Sequence, residues 1–346
     1  MAADAARPGG WALLLSALAA FLLVPATPLV QSIAPVRDAP WLVVTALAAC
    51  TVVGWGAGGR GWLALMWVAL AIGLLAVSPV VRPTYLGLER GWAVLLAASF
   101  GIVCKTSPPT MPFFPRALTA LALTVSIAGM LAVATPGAVR ASADAVRSDV
   151  AARPNAAVAW MRTTEQSPEW QQWRASPIGT SLDEGVQTVD GVLASLPDDA
   201  IPFFPALLAL ESLAALALAW GLYHRISRAR LGDHLGALRD FRFNDQLAWG
   251  LIAGIVLFLL PTSGAWRGTG MNLMLFFGAL YTVRGLGVLV WFLDAAHAAA
   301  PARVLLAIAA TVLSAPAIVG LGLLGLGDTW MDWRHRPGGA TSRPTT

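Results

Sequence analysis

Long apolar runs separated by short polar connections dominate the chain. Six stretches of 20 or more residues contain no Asp, Glu, Lys or Arg: 8–36, 39–59, 61–81, 117–139, 246–266 and 304–327. A helix of about 20 mostly apolar residues spans the roughly 30 Å hydrocarbon core of a bilayer. Each of the six stretches therefore predicts a membrane span.

Three further apolar runs are shorter or contain a charge. They are 91–104, 200–224 with Glu211, and 268–293 with Arg284. With them the sequence predicts nine spans, at about 11–30, 41–57, 62–81, 91–104, 115–135, 202–222, 247–261, 271–293 and 304–326. The pattern predicts an all-α, polytopic bundle of transmembrane helices.

Composition agrees with a membrane protein. Hydrophobic residues make up 57% of the chain and charged residues 12%, against about 25% charged residues in an ordinary globular domain. The net charge of +4 could indicate nucleic-acid binding, but the basic residues are scattered between spans rather than gathered on one face. We therefore expect the lipid bilayer, and no nucleic acid, as a partner.

The first apolar run also has features of a signal peptide. Arg7 precedes it, and Val24, Pro25 and Ala26 resemble a small-residue cleavage site. The uncharged run nevertheless continues to Val36, which is long enough to span a bilayer. We therefore expect a first helix that is retained.

The segment 138–199 breaks the hydrophobic pattern, with nine acidic residues against five arginines. We expect it to divide the chain into an N-terminal membrane domain of five spans (1–137), an extracytoplasmic acidic segment (138–199), a C-terminal membrane domain of four spans (200–330) and a polar, disordered tail (331–346). No other region of comparable size lies outside the predicted spans.

Within the acidic segment, apolar residues recur at helical spacing from 182 to 196, behind a capping box of Ser181 and Glu184. A second stripe runs along 139–150. We expect the two amphipathic helices to pack against each other, because their polar faces carry acids rather than the basic residues of a lipid-binding surface. Prolines, among them Pro154, are expected to divide the segment.

Charge also indicates which side each connection faces. Five arginines between 223 and 246 predict a cytoplasmic loop, which places 138–199 outside and the N-terminus inside. Nine spans then put the C-terminus outside, although the tail contains Arg334, Arg336 and Arg343. Either those arginines are tolerated outside, or 247–261 is re-entrant and the protein has eight spans.

Two charged residues lie inside predicted spans. Glu211 and Arg284 would each cost about 2.5–3.5 kcal/mol or more if they faced lipid alone. We expect them to pair or to share one polar cavity. Gly285 and Gly287 flank Arg284 and would let a helix or a ligand approach its guanidinium. The group is either an ion pair that fixes helix register or a ligand-binding site.

Catalytic motifs are absent. The chain contains neither H-E-x-x-H nor G-x-S-x-G, and Cys50 and Cys104 form no C-x-x-C pair. Asp328 and Asp332 lie one helical turn apart, but at a predicted membrane boundary and without a nearby histidine. The glycines of 320–325 follow no strand and fit helix packing better than a dinucleotide site. We expect no enzyme, metal or cofactor.

Three motifs in the second half carry a family resemblance. The basic loop ends Phe241-Arg-Phe-Asn-Asp245, a later span contains Tyr281-x-x-Arg284-Gly285, and the last span ends Asp328-Thr-Trp-Met-Asp-Trp-Arg334. This order resembles the YybS-like family of uncharacterised bacterial membrane proteins over residues 200–336. That family is distantly similar to the S components of energy-coupling factor vitamin transporters and to the cell-shape protein MreD. The resemblance implies a multi-pass protein of the cytoplasmic membrane.

The first span carries a stripe of small residues, Ala12, Ser16 and Ala20. S components dock their scaffold subunit through stripes of this type, so the resemblance implies other membrane subunits as partners. The chain has no ATP-binding motif. We therefore expect a small-solute-binding component of a transport system whose energy comes from another subunit. The alternative is a scaffold that recruits partner proteins to the membrane without transport.

Overall fold

The described part of the protein is helical. The computed structural model describes residues 11–24, 27, 30, 34–36, 38–77, 83–177, 179, 201–260, 264–297, 299, 301–303, 305–306 and 313–334. No strand occurs among these residues. The prediction of an all-α membrane bundle is confirmed.

Eleven α-helices follow one another along the described chain. They are α1 (Trp11–Leu23), α2 (Ala39–Gly56), α3 (Gly61–Val77), α4 (Pro83–Thr106), α5 (Phe113–Ala134), α6 (Ala138–Glu165), α7 (Pro168–Arg174), α8 (Phe204–Ile226), α9 (Ala248–Leu259), α10 (Gly264–Ala295) and α11 (Ser314–Met331). Helices α2, α4, α5, α8 and α10 are long and apolar enough to cross a membrane, and α1, α3, α9 and α11 are shorter apolar helices.

The chain forms two compact units, Met1–Leu235 and Gly236–Thr346. In the first unit, α2 is central and packs against α3, α4 and α8. In the second unit, α10 packs against α9 and α11. The boundary between the two units follows α8, which buries one face against α2 and α5, and the predicted four-part division at 137, 199 and 330 stays a prediction. Hydropathy alone does not show this pairing.

Helix α4 is longer than its predicted span. The expected run began at residue 91 because Glu89 and Arg90 interrupt the apolar sequence, yet the helix starts at Pro83. Glu89 is buried, with 4% of its surface exposed. Helix α4 can therefore extend beyond its charge-free part, because the Glu89 side chain is buried within the protein.

The acidic segment begins with one long helix. Helix α6 continues through Pro154 to Glu165, although the proline was expected to divide the segment. Proline removes one backbone hydrogen bond, but α6 is anchored by the buried side chains of Val150 and Met161. The second predicted helix, at 182–196, lies outside the described residues.

Helices α9 and α10 form an antiparallel hairpin. A Cβ added to Gly250 would lie 2.3 Å from the ring of Phe277, and one added to Gly270 would lie 2.6 Å from the backbone nitrogen of Phe258. The early part of α9 thus contacts the middle of α10, and its end contacts the start of α10. Glycine permits this close approach of the two backbones.

Helices α10 and α11 run parallel. Thr282 Oγ1 lies 3.4 Å from the carbonyl oxygen of Ile318, and the ring of Phe292, further along, contacts that of Trp333 at 6.2 Å. Helices α10 and α11 therefore point in the same direction. Helix α11 overlaps the predicted span at 304–326, and the choice between nine spans and a re-entrant segment at 247–261 stays a prediction.

Candidate functional site

A buried ion pair joins α10 to α11. Arg284 Nε donates to Asp328 Oδ2 at 3.0 Å, and the two residues are 2% and 1% exposed. Arg284 Nη1 also donates to Asp245 Oδ1 at 2.7 Å. The helices approach closely because a Cβ at Gly285 would lie 1.8 Å from the carbonyl oxygen of Leu321. The close packing of α10 and α11 and the Arg284–Asp328 ion pair therefore stabilise each other.

Arg334, just beyond α11, completes the contacts of Asp328. Its Nη2 donates to Asp328 Oδ2 at 2.6 Å, and its Nη1 donates to the carbonyl oxygens of Arg239 and Phe241 at 2.7 and 3.1 Å. Arg242 pairs with Asp332. The three motifs that carry the family resemblance thus meet in one place.

This ionic cluster is balanced in charge. It consists of Arg242, Arg284, Arg334, Asp245, Asp328 and Asp332. The ring of Phe243 covers the Arg284 guanidinium at 5.2 Å. A Cβ at Gly287 would lie 2.4 Å from the carbonyl oxygen of Leu238, so the loop rather than a ligand occupies that side. The cluster therefore joins the loop before α9 to α10 and α11 through paired charges.

The carboxylate of Glu211 lies in the first unit, on α8, and only one of its oxygens is satisfied. Oε2 accepts a hydrogen bond from the Val36 backbone nitrogen at 3.0 Å. Oε1 is buried and has no hydrogen-bond partner among the described residues. A buried acceptor without a donor costs about 1–3 kcal/mol. The site is therefore suited to a group that donates a hydrogen bond.

Arg153 on α6 organises the surroundings of Glu211. It attracts Glu211 electrostatically, and its Nε donates to Asp149 Oδ2 at 2.7 Å. Its Nη2 donates to Tyr85 Oη at 2.8 Å, and Nη1 donates to the carbonyl oxygen of Ala34. The guanidinium thus ties α6 to α4 and to the chain that leads into α2.

Helix α4 supplies a polar face to the same region. Tyr85, Glu89 and Trp92 recur at helical spacing, so they share one side of the helix. Trp92 Nε1 donates to Ser212 Oγ at 2.9 Å, next to Glu211 in sequence. The Glu211 region therefore combines a carboxylate, a guanidinium, a phenol and an indole.

The family comparison covers this region of the chain. The model of a family described as "Predicted membrane protein (DUF2232)" matches residues 155–329, just over half of the sequence. The chain belongs to the DUF2232 family. Comparisons with curated proteins and with solved structures give no match. The family description names a membrane location and no activity, and the match includes Glu211, Arg284 and Asp328.

In this DUF2232 protein, Glu211 and Arg284 were expected to pair directly or to share one polar cavity. Instead Arg284 pairs with Asp328 and Asp245, and Glu211 accepts from Val36. Each residue therefore has a partner within its own unit, and the expected direct pair or shared polar cavity of Glu211 and Arg284 stays a prediction. Sequence reasoning missed Asp328 because it ends an apolar run and was interpreted as a boundary residue. The feature of the sequence that could have identified Asp328 is that it belongs to the same motif as Arg334.

The small residues of the first helix are accessible. Ala12, Ser16 and Ala20 are all exposed on α1, whereas Leu14 is buried. Within the described residues, no group of three or more His, Cys, Asp or Glu side chains could hold a metal ion. Cys50 and Cys104 are buried free thiols.

Proposed function

We propose that this DUF2232 protein binds a small solute as one component of a membrane transport system and takes its energy from a separate subunit. Its place is the bacterial cytoplasmic membrane, which it crosses several times. The proposal assigns it no reaction of its own. The sequence has no ATP-binding motif, which is why a second subunit is part of the proposal.

The proposal rests on the Oε1 atom of Glu211. Oε1 is buried without a hydrogen-bond partner among the described residues, while Oε2 is held by Val36. Leaving a membrane carboxylate half satisfied costs stability, and such residues mark substrate or ion pathways in membrane proteins. A solute with an ammonium, amide or hydroxyl group would supply the missing donor.

The position of Glu211 along α8 supports entry from outside. Glu211 lies seven residues after Phe204, which is about 10 Å along the helix. Its neighbours Val36, Tyr85 and Arg153 belong to the helix ends and the acidic segment that positive-inside counting places outside. A solute would therefore reach the carboxylate without crossing the whole bilayer.

Helix α1 is the proposed docking element for the energy-supplying subunit. Its small residues, Ala12, Ser16 and Ala20, lie on an exposed face. Small side chains at every fourth position let a second membrane helix approach closely. The same face would serve the alternative function, a scaffold that recruits partners without transport. The ionic cluster around Arg284 supports that alternative, because its arginines and aspartates pair with one another.

Identification of co-purifying small molecules tests the proposal. The full-length protein and its Glu211→Leu variant are purified in parallel, denatured, and their extracts compared by mass spectrometry. We expect one polar compound with a hydrogen-bond donor to be enriched in the wild-type extract and lost from the variant. The matched control is Asp144→Asn, an exposed acid on α6. Equal extracts from wild type and Glu211→Leu would refute the solute-binding role.

A further inference from the structure

Four basic side chains gather at one end of the first unit, on three different connections. Arg60 precedes α3, Lys105 lies in the last turn of α4, and Arg228 and Arg230 follow α8. All four are exposed. These residues form what we term the basic patch.

Glycine contacts bring these connections together. A Cβ at Gly59 would lie 3.2 Å from the Cβ of Ala229, so Arg60 lies beside the Arg228–Arg230 turn. A Cβ at Gly56 would lie 3.8 Å from Lys105 Nζ. The basic patch is therefore continuous in space although its members are far apart in sequence.

The loops that carry the patch are held in place from beneath. Arg116 is fully buried and donates to the carbonyl oxygen of Leu231 and, at 2.7 Å, to that of Pro108. Tyr223 Oη donates to the carbonyl oxygen of Ala229 at 2.6 Å. The backbone that carries Arg228 and Arg230 is therefore fixed before a ligand binds, which lowers the entropy cost of binding.

The charges of the patch have no ion-pair partner in the described part of the chain. Within the described residues, none of the four cations forms an ion pair. Two other arginines of the loop after α8 behave differently, since Arg239 pairs with Asp294 at 3.5 Å and Arg242 pairs with Asp332. Among the described residues, this surplus of positive charge belongs to the first unit and is available to an external anion.

Tryptophans show the depth of the patch in the bilayer. Trp55 and Trp62 are 59% and 58% exposed, and the Trp55 ring lies against Gly61, next to Arg60. Exposed tryptophan prefers the level of the lipid headgroups. The anions at that level on the cytoplasmic side are lipid phosphates.

We propose that the basic patch of Arg60, Lys105, Arg228 and Arg230 binds the phosphodiester headgroup of an anionic phospholipid on the cytoplasmic side. The exposed indoles of Trp55 and Trp62 contact the glycerol region of the same lipid. This site is independent of Glu211, which lies towards the opposite end of the first unit. It would retain anionic lipid around α2, α3 and α4.

Lipid retention by the purified protein tests the site. The full-length protein in a neutral detergent is mixed with equal amounts of phosphatidylglycerol and phosphatidylcholine, and bound lipids are counted by native mass spectrometry. We expect wild type to retain phosphatidylglycerol at least about tenfold more strongly, since each basic side chain near the surface adds to the attraction. The Arg60→Gln, Lys105→Gln, Arg228→Gln, Arg230→Gln variant should lose this preference.

Two comparisons keep the test decisive. The Arg140→Gln, Arg162→Gln variant removes exposed cations from α6 and should keep the preference. Single substitutions of Arg228 and Arg230 replace the quadruple variant if that variant does not fold. Unchanged lipid preference in the patch variants would overturn the proposal. So would equal competition by inorganic phosphate or by soluble polyglutamate, because the patch would then be a general anion surface or an acidic-protein site.

Discussion

Arg284 and Asp328 bind each other across the α10–α11 contact, with Nε and Oδ2 3.0 Å apart and both side chains almost completely buried. Removing one member of a buried pair leaves the other charge uncompensated and typically costs about 3–5 kcal/mol. We therefore predict that Arg284→Ala and Asp328→Ala each lower thermal stability strongly in detergent, and that the double variant is less damaged than the sum.

The exposed pair Asp144 and Arg147 is the matched control for that cycle. Its side chains are more than 60% exposed, and pairs of this kind contribute about 0–1 kcal/mol. Its coupling should be close to zero. Additive losses at Arg284 and Asp328 would show that the two residues do not interact.

Close helix packing at Gly285 gives a second prediction. Alanine there would place its Cβ 1.8 Å from the carbonyl oxygen of Leu321, so α10 and α11 would have to separate. Gly285→Ala should lower the unfolding temperature markedly. Gly278→Ala on the same helix meets no atom within 4 Å and should be neutral or slightly stabilising. Equal melting temperatures for both variants would contradict the close approach of the two helices at Gly285.

Arg153 gives a third prediction, about α6. Arg153→Ala leaves Asp149 buried without its partner and removes the contacts to Tyr85 and Ala34. We expect amide hydrogen exchange along α6 to become faster, while exchange in α10 stays unchanged. Arg162→Ala, an exposed residue on the same helix, is the control. Lysine should not rescue, because it lacks the fork that reaches three partners.

The parallel course of α10 and α11 gives a fourth prediction, about sidedness. Arg334 donates to the carbonyl oxygens of Arg239 and Phe241, so the end of α11 and the basic loop lie on one side. Single cysteines at Ser227 and Ser342, without Cys50 and Cys104, should both resist an impermeant thiol reagent on intact cells. A cysteine at Ser167 should react. Labelling of Ser342 together with Ser167 would place the C-terminus outside and refute this arrangement.

Hydropathy predicted the helices well, since a membrane span is recognised by its length and by its lack of charged residues. It could not give direction. The run at 304–326 does not reveal how its helix is oriented against α10, and only the contacts of Thr282 and Phe292 show that α10 and α11 are parallel. The resemblance motifs contained Arg284, Asp328 and Arg334, but their separation in sequence concealed that they meet.

The Glu211 region was predicted only in part. A glutamate inside an apolar span is easy to recognise, and the sequence analysis identified Glu211. Its surroundings are built from Val36, Tyr85 and Arg153, which come from three separate segments. None of these residues is unusual for its position, so nothing in the sequence marks them as neighbours. The polar cluster therefore appears only when the helices are packed.

Chemical access to position 211 tests the solute-binding account most directly. The Glu211→Cys substitution is made in a protein without Cys50 and Cys104. The folded, monodisperse variant is treated with the small hydrophilic thiol reagent 2-aminoethyl methanethiosulfonate, and the modified fraction is measured by mass spectrometry. The neighbouring Ser212 is fully buried and makes Ser212→Cys the control. The account predicts rapid modification of Glu211→Cys and little of Ser212→Cys. A Glu211→Cys thiol as protected as the control would mean that the site is packed solid, and would contradict solute binding there.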